Sequence, residues 1–158
     1  MMSTYLMVKT FHILSSVLLV GTGFGSAFYL FFANRAKRAE PIALVARLVV
    51  RADWWFTTPT IILMPITGLW LADHAGWGWH TPWIAWSLVL YALAGACWLP
   101  VVWLQIRMAG MAEESAEHGR NLPGRYWRDA RRWEWLGYPA FAAMLAVYFL
   151  MVVKPGLE

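Results

Sequence analysis

Four long apolar segments constrain this chain more than any other feature of its sequence. Each has about the 20 residues that a helix needs to cross the hydrocarbon core of a bilayer. Because backbone polar groups in lipid must find partners within the chain, such segments form helices. The sequence therefore predicts one all-α domain over residues 1–158, an integral membrane four-helix bundle. Its predicted spans are about Tyr5 to Phe32, Trp54 to Ala72, Pro82 to Ile106 and Trp133 to Val153.

Composition agrees with lipid as the solvent. Hydrophobic residues make up 60% of the chain and charged residues 14%, whereas a soluble domain carries about 25% charged residues. The first apolar segment is longer than the apolar region of a signal peptide, and its positive charges follow it, so we expect a retained span. The single cysteine, Cys97, lies inside an apolar stretch and is expected to be a packing residue.

The positive charges predict the orientation. Of 13 Lys and Arg residues, five lie between the first two spans, six lie between the last two, and none lies between spans two and three. The positive-inside rule places the two basic loops in the cytoplasm and both termini in the periplasm of a bacterial cytoplasmic (inner) membrane. The basic character then reflects topology and anionic lipid headgroups, and no nucleic-acid site is expected.

A histidine near the outer end of the first span is the most unusual polar residue. His12 shares a helical face with Ser15, Ser16 and Ser26, and such a face looks into a bundle. An ionisable residue inside a membrane is a functional candidate by default. Three interpretations stay open: a hydrogen bond to a neighbouring helix or interfacial water, ligation of haem iron, and proton relay.

Counting residues along each span places several rare polar groups at the depth of His12. At 1.5 Å per residue, Lys9, His12, His74, Trp86 and Lys154 fall in one layer near the outer membrane surface. The chain has four histidines, one of them in a cytoplasmic loop, so a two-haem, four-histidine cytochrome is excluded. One haem b remains possible, with His12 as a metal ligand and His74, or nothing, on the other side. Lys9 and Lys154 could then pair with the haem propionates.

A second polar cluster is predicted at the inner surface, where the stretches "RADWWFTTP", "WLQIRM" and "RRWEWLGYP" meet. Arg51 with Asp53, and Glu134 with a neighbouring arginine, could form ion pairs. Asp53 could also cap the second span. The alternative is an anion pocket that uses Arg47, Arg51, Gln105 and Arg107.

Two patterns leave the helix arrangement open. Gly21 and Gly25 form a small-xxx-small pair, which suits close packing within the bundle or a homodimer through this face. The segment around residues 42–49 suggests a short helix, either on the membrane surface or continuing into the second span.

The stretches "MVKTFHILSSVLLVG", "RADWWFTTP", "ITGLWLA", "LPVVWLQIRM" and "VVKP" resemble a bacterial family of predicted four-span membrane proteins, domain of unknown function 2269. More distantly, the chain is similar to the HemJ-type protoporphyrinogen oxidases, which share the Lys-x-x-His of the first span and the closing Val-Lys-Pro. In them the first-span histidine is thought to ligate haem b, and the match carries this role to His12. Their essential lysine early in the third span corresponds to Trp86, so porphyrinogen oxidation is not expected.

These observations lead to two expectations of function. The first is a b-type haem protein with one haem near the outer face, acting as a redox protein or membrane oxidoreductase with a quinone or a tetrapyrrole as partner. Its cofactor-binding residues would be His12, His74, Lys9, Lys154 and Trp86, with His12 and His74 on the iron. The second is a haem-free membrane protein that binds lipid, a partner protein or a small solute.

Overall fold

The computed structural model describes residues 3–155, and that part of the chain is helical apart from short connections, with no strand. Four helices within it, with Ala39–His74 counted as one, are long and apolar enough to cross a membrane. The predicted all-helical membrane fold is therefore confirmed. In chain order the helices are α1 (Thr4–Arg35), α2 (Ala39–Ala52), α3 (Thr58–His74), α4 (Pro82–Glu117) and α5 (Gly124–Val153).

The segment before the second span continues into it rather than lying on the membrane surface. A π-helical turn, Asp53–Thr57, joins α2 to α3 without a break. Pro59 gives the physical reason, because it has no N–H and its ring crowds the carbonyl one turn earlier. A wider turn at this point relieves the crowding. Asp53 therefore lies inside a continuous helix, and it does not act as an N-cap.

The tightest packing lies at one end of the bundle, where α2, the end of α1, the second half of α4 and the start of α5 meet. The apolar side chains here include several that are completely buried, and the largest of these completely buried side chains is Tyr126. The sequence between spans three and four, which reads as a long polar loop, is mostly helix because its apolar side joins this core. The core comprises Leu30, Ile42, Ala43, Ala46, Val49, Leu104, Met108, Ala109, Ala112, Tyr126, Ala130 and Trp133.

Two polar contacts hold this end together. The buried Tyr126 hydroxyl donates to Asn34 Oδ1 at 2.6 Å and ties α5 to α1. Arg107 on α4 donates through Nε to Asp129 Oδ2 at 2.9 Å and also pairs through its Nη2 with the same carboxylate. The Arg107 guanidinium lies 4.2 Å from the Trp103 ring.

Beyond this core the bundle consists of two helix pairs. α1 packs on α3, and α4 packs on α5. The pairs meet where the Tyr91 hydroxyl donates to the Ile61 carbonyl at 2.7 Å, and where Phe24 stacks on Phe141 at 5.1 Å. Large apolar side chains on the outside of both pairs are exposed, as expected for a surface that faces lipid.

The small-residue pair of α1 does not take part in this packing. A Cβ added at Gly21 or Gly25 would meet no heavy atom of a neighbouring element within 4 Å in the part of the chain that the structure describes. Close packing of these glycines within the bundle was therefore the wrong interpretation. The homodimer stays a prediction.

Candidate functional site

His12 is held between α1 and α3 by one polar contact and one close approach. Its Nδ1 lies 2.7 Å from Thr67 Oγ1, and the Thr67 hydroxyl donates to the Leu63 carbonyl at 2.7 Å. Since that hydroxyl proton is already used, Thr67 accepts, and His12 Nδ1 carries the hydrogen. The lone pair then sits on Nε2. A Cβ at Gly68 would come within 3.2 Å of the His12 ring, so glycine makes room for the imidazole.

His74 occupies a separate position. It is exposed, its ring stacks on Trp70 with a centroid separation of 3.7 Å, and its Nδ1 lies 3.1 Å from the Trp70 carbonyl oxygen. It lies about 10 Å further along the α3 axis than Thr67, which contacts His12. His12 and His74 therefore contact different residues, and no contact joins the two side chains within residues 3–155.

Two of the other residues of the predicted outer layer, Lys9 and Lys154, lie over aromatic rings. Lys9 is exposed, with Nζ 6.0 Å from the Tyr5 ring. Lys154 ends α5 in a left-handed conformation, with φ of 47°, and its Nζ lies 4.6 Å from the Trp77 ring. Trp86 is 61% exposed on α4.

The fit of this layer to haem b rests on His12. An imidazole that donates from Nδ1 and keeps the Nε2 lone pair free has the orientation of a metal-bound histidine. Within residues 3–155, no group of three or more His, Cys, Asp or Glu side chains is placed to hold a metal ion. One axial histidine is therefore the most that these residues offer to haem iron.

A larger feature lies further inward, between the two helix pairs. A cavity of about 440 Å³ is bounded by α1, α3, α4 and α5. Its wall is almost entirely apolar and rich in aromatic rings. The residues that shape it most are Phe24, Phe31, Trp98, Trp133, Phe141 and Met144.

The polar side chains that line the same cavity include Asp53, Thr57, Gln105 and Glu134. Asp53 is only 4% exposed, and the Thr57 hydroxyl donates to its Oδ1 at 2.8 Å. Gln105 is 5% exposed and interacts with the Asp53 carboxylate. The Gln105 Oε1 atom is buried and has no hydrogen-bond partner.

The cavity opens sideways between α1 and α5. Phe28 and Phe32 of α1 and Tyr138 of α5 line it, and they are 50%, 49% and 63% exposed. Exposed side chains at this place in a spanning helix face the bilayer, so the opening faces lipid. A lipid-soluble molecule could therefore reach the cavity without passing through water.

The ion pairs expected for Asp53 and Glu134 are replaced by pairs between other residues. Arg47 Nε lies 3.7 Å from Glu113 Oε1, and Arg107 pairs with Asp129. In the described part of the chain, neither Asp53 nor Glu134 has a cationic side chain within 4.0 Å. The anion pocket is therefore not formed as expected, because two of its arginines are engaged by carboxylates.

The sequence predicted the polar cluster that lines this cavity, but it did not predict the apolar wall. The polar residues Asp53, Thr57 and Gln105 stand out in apolar surroundings and were readable as a cluster. The wall residues were not, because Trp98 and Tyr138 look the same in sequence whether they face lipid or a cavity. Tyr91 was missed for the same reason, and it also lines the cavity.

Comparison with known proteins gives a family and no activity. The family model described as "Predicted integral membrane protein (DUF2269)" matches residues 6–155. Neither the search of curated proteins nor the search of solved structures found a match. The match spans nearly the whole chain of 158 residues. The chain therefore belongs to the DUF2269 family of predicted integral membrane proteins.

Proposed function

We propose that this protein binds a lipid-soluble small molecule in the cavity between its helix pairs. The observation that carries the proposal is a largely apolar cavity of about 440 Å³ whose lining includes Gln105, a residue whose Oε1 atom is buried without a hydrogen-bond partner. Small-molecule sites are typically cavities of about 300–1,000 Å³, lined by apolar and aromatic side chains with a few polar groups that fix orientation. A buried polar atom without a partner calls for one.

The proposal includes a place and an orientation. The protein lies in the bacterial cytoplasmic membrane, with both termini in the periplasm and the polar end of the cavity toward the cytoplasm. The charge distribution of the loops supports this arrangement. The ligand comes from the bilayer through the opening between α1 and α5, with its apolar body among the aromatic rings and its polar head near Asp53. Quinones and tetrapyrroles, the partners expected from the sequence, belong to the haem-based candidate function below and are not assigned to this cavity.

A glycine substitution tests the proposal. Gly95 of α4 lines the cavity, and a Cβ added there would meet nothing within 4 Å, so Gly95→Leu fills space without a clash at Cβ. Gly110→Leu is the matched control on the same helix, since Gly110 is exposed and also has open space around it. The probe is 1-pyrenemethanol, a neutral fluorescent molecule, with protein in non-ionic detergent.

We expect saturable energy transfer from tryptophan to pyrene in the unmodified protein and in Gly110→Leu, and loss of the saturable part in Gly95→Leu. Equal binding by all three proteins would refute the cavity as the site. So would the absence of any saturable signal in the unmodified protein.

A second candidate function is haem b binding through His12, in addition to the cavity. It is supported by the hydrogen bond from His12 to Thr67, which leaves Nε2 free as a ligand. A haem bound there would supply one-electron chemistry, while Thr67 and Gly68 would fix the imidazole. The test is an absorption spectrum after purification from haem-supplemented cells. We expect a Soret band that is lost in His12→Ala and reduced in Thr67→Val. His118→Ala is the control and should leave the band unchanged, because His118 lies outside the spans. A colourless protein would refute this candidate.

A further inference from the structure

We infer that the inner end of the cavity selects an amphipathic organic cation, a molecule with an aromatic or alkyl body and a protonated amine head. This inference rests on the proposed ligand binding and names the chemical class of the ligand. It follows from an inventory of the hydrogen-bonding groups that line the cavity. Acceptors remain free there, whereas most of the hydroxyl donors are already used.

Three hydroxyl donors of the cavity wall are engaged within the protein. The Thr57 hydroxyl donates to Asp53 Oδ1 at 2.8 Å, the Tyr91 hydroxyl to the Ile61 carbonyl at 2.7 Å, and the Ser26 hydroxyl to the Gly23 carbonyl at 3.2 Å. A ligand head that only accepts hydrogen bonds, such as a carbonyl or a carboxylate, therefore finds little to bind among these groups.

Two carboxylates and one amide oxygen supply acceptors. The carboxylates of Asp53 and Glu134 belong to residues that line the cavity, and so does Gln105, whose buried Oε1 has no hydrogen-bond partner. No cation of the described chain pairs with either carboxylate. A buried carboxylate is costly unless it is neutralised or paired. A protonated amine supplies the missing charge and has N–H groups for Gln105 Oε1.

The aromatic wall adds to this selection. Trp98, Asp53 and Gln105 all line this cavity, and they also line a second cavity of about 280 Å³. Trp133 and Phe31 belong to the larger cavity as well. Aromatic faces attract cations, and the attraction grows when water is excluded. Body and head of an amphipathic cation are thus both accommodated.

The test uses three probes with one ring system and different heads: 1-pyrenemethylamine, 1-pyrenemethanol and 1-pyrenecarboxylic acid at neutral pH. A hydrogen bond to a charged group is stronger than one to a neutral group, by an amount that corresponds to about tenfold in affinity. We therefore expect the amine to bind about tenfold more tightly than the alcohol, and the carboxylate to bind most weakly.

Substitutions at the acceptors assign the effect. Asp53→Asn is expected to abolish the preference for the amine while 1-pyrenemethanol still binds. Glu134→Gln, at a half-buried position, is expected to reduce the preference by less and serves as a second variant if Asp53→Asn does not fold. Glu113→Gln, which removes a carboxylate outside the cavity, should leave all three affinities unchanged.

The outcomes separate this inference from the proposed function. If none of the probes binds saturably, ligand binding in the cavity fails, and the inference fails with it. If 1-pyrenemethanol binds in a way that Gly95→Leu prevents, but the amine binds no better and Asp53→Asn and Glu134→Gln change nothing, the cavity is a binding site and the cation selectivity is refuted.

Discussion

The ion pair between Arg107 and Asp129 should contribute much of the stability of the end of the bundle where α2, α4 and α5 meet. Asp129 is 1% exposed, and it accepts from Arg107 at 2.9 Å through Nε as well as pairing with Nη2. Removing one partner of a buried pair costs about 3–5 kcal/mol, because the other charge is left buried without compensation. The Arg107 side chain is 24% exposed and retains some access to solvent or headgroups. We therefore expect Asp129→Asn to lower the free energy of unfolding by about 2–3 kcal/mol.

The measurement is thermal unfolding in detergent, followed by circular dichroism. For a chain of this length, 1 kcal/mol corresponds to a shift of about 2–4 °C, so Tm should fall by about 4–12 °C. Glu113→Gln is the control, because it breaks a 3.7 Å pair whose side chains are 48% and 39% exposed. Exposed pairs contribute about 0–1 kcal/mol, which means a shift of at most about 4 °C. A loss in Asp129→Asn no larger than that in Glu113→Gln would refute the reasoning.

Three further predictions concern the other parts of the account. Tyr126→Phe should lower the free energy of unfolding by about 1–3 kcal/mol, because it leaves Asn34 Oδ1 buried without its donor. Chemical denaturation measures this loss, with Tyr148→Phe as the control, and an unchanged midpoint in Tyr126→Phe would contradict the prediction. Gly68→Ala should displace the imidazole of His12, because the new Cβ would lie 3.2 Å from the ring. The ¹⁵N chemical shifts of labelled histidine report this displacement, and unaltered His12 signals would show that the ring is not held against Gly68. Reporters fused after the last residue and within the loop of residues 75–81 should both report the periplasm, and a cytoplasmic signal from either would overturn the orientation.

The fold was largely predictable because lipid leaves few choices. Length and apolar character alone determine that these segments form helices. The π-helical turn at Asp53–Thr57 was not predicted, although Pro59 gives its physical reason. The helical parts of the third loop were missed because their many charges hide the apolar side, including Met108 and Tyr126, that joins the core.

The candidate site was predictable only where polarity marks it. Asp53, Gln105 and Glu134 are conspicuous among apolar neighbours, so their clustering could be inferred from depth. The lack of cationic partners for these carboxylates could not be inferred, because choosing between Arg51 and Arg107 as a partner requires knowing where the side chains point. Equal depth on different helices did not guarantee contact either, and the predicted outer layer shows this: His12 contacts Thr67, whereas His74 stacks on Trp70.

Saturable photolabelling of the cavity wall tests directly whether a small molecule binds between the helix pairs. The protein in lipid vesicles is irradiated with an apolar aryl-diazirine at increasing concentrations, and labelled residues are located by mass spectrometry. Trp98 lines the larger cavity, whereas Val89 on the same helix lines neither cavity and is 56% exposed. We predict that labelling of Trp98 and Met144 saturates and is suppressed by 1-pyrenemethanol, while labelling of Val89 rises linearly. Linear, uncompeted labelling at all three positions would contradict a ligand site between the helix pairs.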